Sequence, residues 1–179
     1  NDNFDIIEVL NFCYRVLNIM IDCKGMGNHI KTSLDIDEEV PLVINSDEMR
    51  LKQVLLNLIS NSIKFTKRGH INIKAKLLNK CDINISIEDS GIGIEKENIK
   101  LLFSDYGKLE DTHKLNNIGS GLGLSICKKI VSNLGGEIKV ESLPNIKTEF
   151  SFFIKDNHLK KPDSFILKYL KENNKINNN

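Results

Sequence analysis

Apolar residues recur along this chain with two alternating periods, and the switches between them mark out its elements. From Asp5 to Cys23, the positions Ile6, Val9, Leu10, Cys13, Val16, Leu17 and Met20 share one face at the ~100° per residue of a helix. This helix ends near Gly25–Gly27. His29–Ile36 and Pro41–Asn45 read as two short strands joined by the acidic turn Asp37–Glu39. Asp47 is placed to cap a second helix, which stops at Lys67-Arg68-Gly69. Period two then takes over: Ile71, Ile73, Ala75 and Leu77 lie on one side of His70–Leu77, and Ile83, Ile85 and Ile87 on one side of Asp82–Asp89. A short helix is expected from about Glu95 to Phe103, followed by the polar, poorly periodic stretch Ser104–Ile118, which is too long for a simple connection and suggests a mobile or ligand-ordered loop. A further helix starts near Ser120, with Leu124, Cys127, Val131 and Leu134 inward, and ends at Gly135-Gly136. Strands Glu137–Glu141 and Thr148–Ile154 close the domain.

Two positions break this pattern. On the second helix Ser60, Gln53, Lys64, Asn57, Arg50 and Asn61 fall within an arc of about 100°. Met49, Leu51, Val54, Leu55, Leu56, Leu58, Ile59, Ile63 and Phe65 take most of the rest, so the helix is expected to be sunken on most sides. A buried amide is costly unless its hydrogen bonds are made. The stripe carries amides, a hydroxyl and bases but no acid, which suits a phosphate or a hydrated metal. The second break is Asp89, the next member of the inward series Ile83, Ile85, Ile87. A carboxylate continuing a buried face needs a partner or a ligand.

Two glycine-rich stretches follow. DSGIGI (Asp89–Ile94) joins strand to helix, and its glycines permit positive φ and close backbone approach. GSGLGLSI (Gly119–Ile126) lies at a helix start, where unpaired N–H groups and the dipole favour an anion. No Lys follows its last glycine and no strand feeds it, so it matches neither the P-loop nor the dinucleotide fingerprint.

Composition narrows the rest. At 179 residues the chain has room for one domain, 1–155, plus a polar tail, 156–179, with one possible helix (Ser164–Leu170) and then expected disorder. A net charge of +1 argues against nucleic-acid binding driven by bulk charge. Cys13, Cys23, Cys81 and Cys127 show no metal-ligand spacing and read as reduced thiols, mostly core fillers, of a cytoplasmic protein. No apolar run approaches the ~20 residues of a membrane helix, so no membrane contact is expected of this segment.

The order Asn57-x₃-Asn61, then DxGxG, then GxGxG at a helix start resembles the ATP-binding catalytic domain of histidine kinases, over roughly Phe4 to Ile154. Broader relatives are the ATPase domains of DNA gyrase, mismatch-repair proteins and heat-shock chaperones. DEMRLKQVLLNLISNSIKFTKRG and LLFSDYGKLED look most like hybrid sensor kinases. The resemblance implies an α+β fold of the Bergerat type: a two-layer sandwich with a mixed, mostly antiparallel sheet of about five strands, three main helices and a mobile ATP lid. It implies ATP and Mg²⁺ as ligands. Asp89 would accept from the adenine amino group, Asn61 would ligate Mg²⁺, and Lys64 would meet a phosphate. Phe65 would line the pocket, and Gly91 and Gly93 would give base and ribose room, with Ile94 beside them. Gly119, Ser120, Gly121, Leu122 and Gly123 would wrap the phosphates, flanked by Leu124, under a lid formed by Ser104–Ile118. Phe103 and Tyr106 would anchor that lid or pack as ordinary core and rim. Thr148 matches an adenine-side contact, although Lys147 replaces the glycine usual before it.

Asn57 bears on mechanism. ATP-hydrolysing relatives place a Glu there to activate water, whereas an amide cannot take a proton at neutral pH. A neutral imidazole needs no such base, so the implied reaction is γ-phosphoryl transfer to a histidine, with Asn57 helping to hold the metal or the incoming ring. None of His29, His70, His113 and His158 lies on a long helix in an acceptor pattern. The acceptor would therefore sit on a dimerisation domain, with a receiver domain downstream, as partners. Lys114 is the only cation just before the second glycine stretch, where relatives often carry Arg. The alternatives are a clamp- or chaperone-type ATPase of the same superfamily, or a degenerate nucleotide-binding scaffold.

Overall fold

A computed structural model of the chain describes residues 2–79, 82–103 and 122–157. Period-two and helical stretches alternate along it as β1 (Asp2–Asp5), α1 (Ile6–Cys23), β2 (Ile30–Ile36), β3 (Val43–Ser46), α2 (Glu48–Phe65), β4 (Gly69–Leu77), β5 (Asp82–Asp89), α3 (Lys96–Ile99), α4 (Leu122–Asn133), β6 (Ile138–Leu143) and β7 (Lys147–Lys155). Five strands form one sheet in the order β2-β4-β5-β7-β6. β2 and β4 are parallel, while the β4–β5, β5–β7 and β6–β7 pairs are antiparallel. The parallel pair requires a crossover, and α2 lies on it between β2 and β4. α1, α2 and α4 cover one face, with α2 in the middle, touching both other helices and β5. The fold is the expected α+β sandwich, with a mixed five-stranded sheet on three main helices.

Alternation decides what lies between the layers. Ile71, Ile73, Ile83, Ile85, Ile87, Phe152 and Ile154 point into the helices and are buried, whereas Lys74, Lys76, Asn84, Glu88, Ser151 and Lys155 on the same strands are half-buried or exposed. Leu51, Val54, Leu55, Leu58, Ile59 and Ile63 of α2 complete the core from above. At roughly 25 cal/mol per Å², each such side chain contributes about 1.5–3 kcal/mol. Asp47 caps α2 as its position predicts, accepting from the Arg50 N–H at 2.9 Å, and Asp5 caps α1 in the same way through Glu8.

Several expectations are corrected. β2 and β3 are not a hairpin: β2 joins the large sheet, while β3 pairs antiparallel with β1, a strand the sequence pattern did not signal. The acidic turn and Pro41 before β3 gave that pairing no local signature, and it needed the N-terminal partner to form. Met49 is 73% exposed rather than core, because it sits in the first turn of α2 before the helix meets its neighbours. α3 is only Lys96–Ile99, and Leu101–Phe103 continue as a turn. Just after β7, the buried Asp156 accepts from the Asn45 N–H at 3.0 Å, and the Asn157 amide donates to the Asn45 carbonyl at 2.9 Å. The expected lid, 104–118, and the expected tail helix, 164–170, lie outside the described residues.

Candidate functional site

Asp89 is the last residue of β5, on the helix-facing side, and is 3% exposed. Register places it opposite Ile71 of β4 and Thr148 of β7. Its Oδ1 accepts from the Thr66 hydroxyl at 3.2 Å and from the Gly91 N–H at 3.0 Å. Both bonds fall on Oδ1, and neither occupies Oδ2. Burial pushes the Asp89 carboxyl above the usual carboxylate range, against the opposing pull of Gly91, Ser62, Thr66 and the nearby His70. The buried Ser62 hydroxyl favours the ionised form by its proximity, although its Oγ finds no hydrogen bond of good geometry. The outcome is a sunken acid held by the end of α2 and by the first glycine stretch.

α2 runs from this acid to the start of α4. Thr66 is its C-cap, and the Phe65 carbonyl accepts from the Ile92 N–H at 3.3 Å, tying helix end to glycine loop. Asn61 and Asn57 are half-buried one and two turns back, while Arg50, Gln53, Ser60 and Lys64 are exposed. Lys64 folds its ammonium over the Phe65 ring, 5.2 Å from the centroid. At Asn57 the helix meets α4: the amide Nδ2 donates to the buried Cys127 sulfur at 3.0 Å. A Cβ at Gly123 would stand 2.7 Å from Asn57 Oδ1, so the first turn of α4 closes on this amide. Nine residues, about 13 Å of helix, separate Asn57 from Thr66.

Gly91 and Gly93 leave room for neighbouring protein backbone. A Cβ at Gly91 would lie 2.5 Å from the Phe65 carbonyl oxygen and 2.7 Å from Asp89 Oδ1. At Gly93, with φ +69°, it would lie 2.3 Å from the Leu143 carbonyl oxygen. The β6–β7 turn thus presses on the loop, and the Asn145 N–H donates to the Ile92 carbonyl at 2.7 Å. Ile94, half-buried against the core, donates its N–H to Ser142 Oγ at 2.9 Å. Thr148 is buried, and its Oγ1 lies 2.9 Å from the same Ser142 oxygen.

Lys147 does not intrude. One residue from Thr148, it faces the outer side of the sheet and pairs with Glu88 at 3.3 Å and Glu149 at 3.5 Å. Phe103 stacks edge-on against Phe150, with centroids 6.4 Å apart, and Leu124 is half-buried against the core. Leu122 opens α4. Lys114, Tyr106, Gly119, Ser120 and Gly121 lie outside the described residues. Two surface depressions lie elsewhere, one lined by residues such as Phe103, Lys128 and Ser132 and the other by Arg50, Ile126 and Lys129. Among the described residues three elements meet at this site: α2, the Asp89 loop and the first turn of α4. Thr66, Ser142 and Cys127 belong to it although the pattern did not single them out. Thr66 ended a helix and Ser142 followed a strand, and nothing local pointed either toward Asp89.

A sunken acid at a strand end and a glycine-led helix thus meet the two ends of one amide-bearing helix in an α+β sandwich. A family model for the histidine kinase-, DNA gyrase B- and HSP90-like ATPases matches residues 46–158. Hybrid signal transduction histidine kinase B of Dictyostelium discoideum is 38% identical over 156 residues, covering 85% of this chain and 8% of that protein. The nucleotide-free catalytic domain of histidine kinase ThkA aligns with a TM-score of 0.67 at 29% identity, over 87% of this chain and 95% of that one. Full-length ShkA in complex with AMPPNP gives a TM-score of 0.73 at 25% identity, over 87% of this chain and 31% of that one. The chain belongs to the histidine kinase-, DNA gyrase B- and HSP90-like ATPase family. It spans between 7% and 17% of the length of the curated relatives it matches. Among the described residues no helix is long and apolar enough to cross a membrane.

Proposed function

We propose that this chain binds Mg²⁺-ATP and is the catalytic domain of a hybrid sensor histidine kinase. It would present the γ-phosphoryl group to a histidine on a dimerisation domain, from which a receiver domain is then served. The observation that carries this reading is Asp89, buried at the end of β5 between Thr66 and Thr148, with the half-buried amides Asn61 and Asn57 leading along α2 to the first turn of α4.

Each residue then has a task. Asp89 takes the amino group of adenine, and Thr148 lies beside it. Gly91, Gly93 and Ile94 shape the base end, and Phe65 flanks the nucleotide. Lys64 neutralises a phosphate once it leaves the Phe65 ring. Gly119, Ser120, Gly121, Leu122, Gly123 and Leu124 offer backbone N–H groups and apolar flanks to the phosphates. Lys114 would meet the γ-phosphate, and Phe103, edge-on to Phe150, would anchor the expected lid.

The donor set fits a hard cation held mainly by the ligand. No group of three or more His, Cys, Asp or Glu side chains forms a metal cage among the described residues, and the Asn61 amide oxygen is the type of neutral oxygen that Mg²⁺ accepts beside phosphate and water. Bound there, the ion would offset phosphate charge. Asn57 has its Nδ2 engaged by Cys127, which leaves Oδ1 as the free end of the amide. An amide oxygen orients a group or accepts a hydrogen bond, and takes no proton at neutral pH. Steady hydrolysis is therefore disfavoured, while an incoming neutral imidazole needs only to be aligned.

The test mixes this chain with Mg²⁺, γ-labelled ATP and a dimerisation hairpin bearing an acceptor histidine. Acid-labile label on that histidine, lost with Asn61→Ala or Asp89→Ala, is the expected result. Steady ATP hydrolysis by the chain alone would instead place it with the clamp-type ATPases, and nucleotide binding without transfer would make it a scaffold.

A further inference from the structure

Ser142, on β6, has one hydroxyl proton and three partners. It contacts the Lys147 carbonyl at 2.9 Å, the Ile94 N–H at 2.9 Å and Thr148 Oγ1 at 2.9 Å. The carbonyl can only accept and the amide can only donate, so the Ser142 proton goes to Lys147 and its lone pairs go to Ile94 and Thr148. Thr148 must then be the donor in the hydroxyl–hydroxyl contact. With its proton committed to Ser142, Thr148 offers only lone pairs to anything else that approaches it. Register sets Thr148 directly opposite Asp89, and both are buried on the same face. The base end of the cleft therefore presents acceptors from both strands.

We propose that Ser142 is a positioning residue that sets this polarity, holding Thr148 as an acceptor beside Asp89 so that a purine carrying an amino group is favoured over a 6-oxo purine. The proposal rests on the nucleotide-binding reading above. An amino group donates to an acceptor wall, whereas a 6-oxo group meets it with another acceptor. Such mismatches discriminate strongly, because a buried polar group is left unpaired. The same hydroxyl fixes the Ile94 amide, and with it the glycine loop that packs against Leu143 through Gly93.

The experiment compares the binding of Mg²⁺-ATP and Mg²⁺-ITP to the whole chain by calorimetry, for wild type, Ser142→Ala and Ser142→Thr. Wild type should prefer ATP. Ser142→Ala frees the Thr148 proton and should lower the ATP/ITP affinity ratio about fivefold to tenfold, the scale of one hydrogen bond. Ser142→Thr keeps the hydroxyl and should restore the ratio. A purely structural role would lower the unfolding midpoint without changing a ratio measured on folded protein. Should the alanine variant fail to fold, Ser142→Cys, with its weaker donor and acceptor, must shift the ratio the same way. An unchanged ratio in folded Ser142→Ala, or in Ser142→Cys where the alanine variant does not fold, overturns the proposal. Absence of ATP binding by wild type overturns the nucleotide reading itself, and the proposal with it.

Discussion

Glu88 and Asp89 are consecutive on β5, yet their carboxyl groups are displaced in opposite directions. Alternation turns Asp89 into the core, where burial raises its pKa. Glu88 faces the outer side of the sheet. Burial there also acts upward, but the hydrogen bond from Lys147 and the charges of Lys74, Lys147 and His70 outweigh it and leave the pKa lowered. Linkage assigns each a window. The folded pKa of Asp89 lies above its unfolded value, so its contribution is full below the ordinary carboxylate range and is lost as pH rises through the folded value. For Glu88 the contribution is present above the ordinary value and is lost as pH falls through the lowered one. Denaturant unfolding across pH should show Asp89→Asn removing a loss on the rising side and Glu88→Gln removing a loss on the acid side.

Asp89→Asn also separates binding from stability. The amide can still accept from Thr66 and Gly91 without burying a charge, so stability at neutral pH should hold or rise. Adenine nucleotide affinity should fall about 10–100-fold, the scale of a hydrogen bond to a charged group. Calorimetry and urea unfolding on the same variant check both halves.

Cys127 and Asn57 join α4 to α2. Cys127→Ala would leave the Asn57 amide hydrogen without its acceptor and should cost about 1–3 kcal/mol of stability, with Cys127→Ser costing less because an acceptor remains. Burial pushes the Cys127 thiol up, and pushes Cys13 up to about 11. In a Cys81→Ser background a thiol reagent at mild pH should therefore modify the exposed Cys23 first. Equal rates at all three thiols would contradict this packing.

Gly91 has no slack. A methyl there would meet the Phe65 backbone at 2.5 Å and the Asp89 carboxylate at 2.7 Å. Gly91→Ala should cost about 1–3 kcal/mol by overpacking and weaken nucleotide binding by moving Asp89. Unfolding midpoint and ATP affinity should fall together.

Lys147→Ala tests whether the cation beside Thr148 matters to the pocket. Its partners Glu88 and Glu149 are on the outer face, so nucleotide affinity should stay within about twofold. Stability should drop by no more than about 1 kcal/mol, as for exposed ion pairs.

Much of this site could be read along the chain because local periodicity and chemistry agree there. Asp47 capped the helix where predicted. The amide stripe, the inward acid at Asp89 and the two glycine stretches each stand out as departures from a regular apolar pattern, and such departures are visible without tertiary information. Pairing between distant segments has no such local mark. That β3 leaves β2 for β1, that Thr66 and Gly91 share one oxygen of Asp89, and that Asn57 finds Cys127 were settled only when the layers closed. Ser142 shows the limit most plainly: a lone serine after a strand carries no signal, and its role arises because β6, β7 and the Asp89 loop bring an amide, a carbonyl and a hydroxyl to within hydrogen-bond reach of it. Residue type and period determine which face is buried; which groups meet across that face is decided by register and packing.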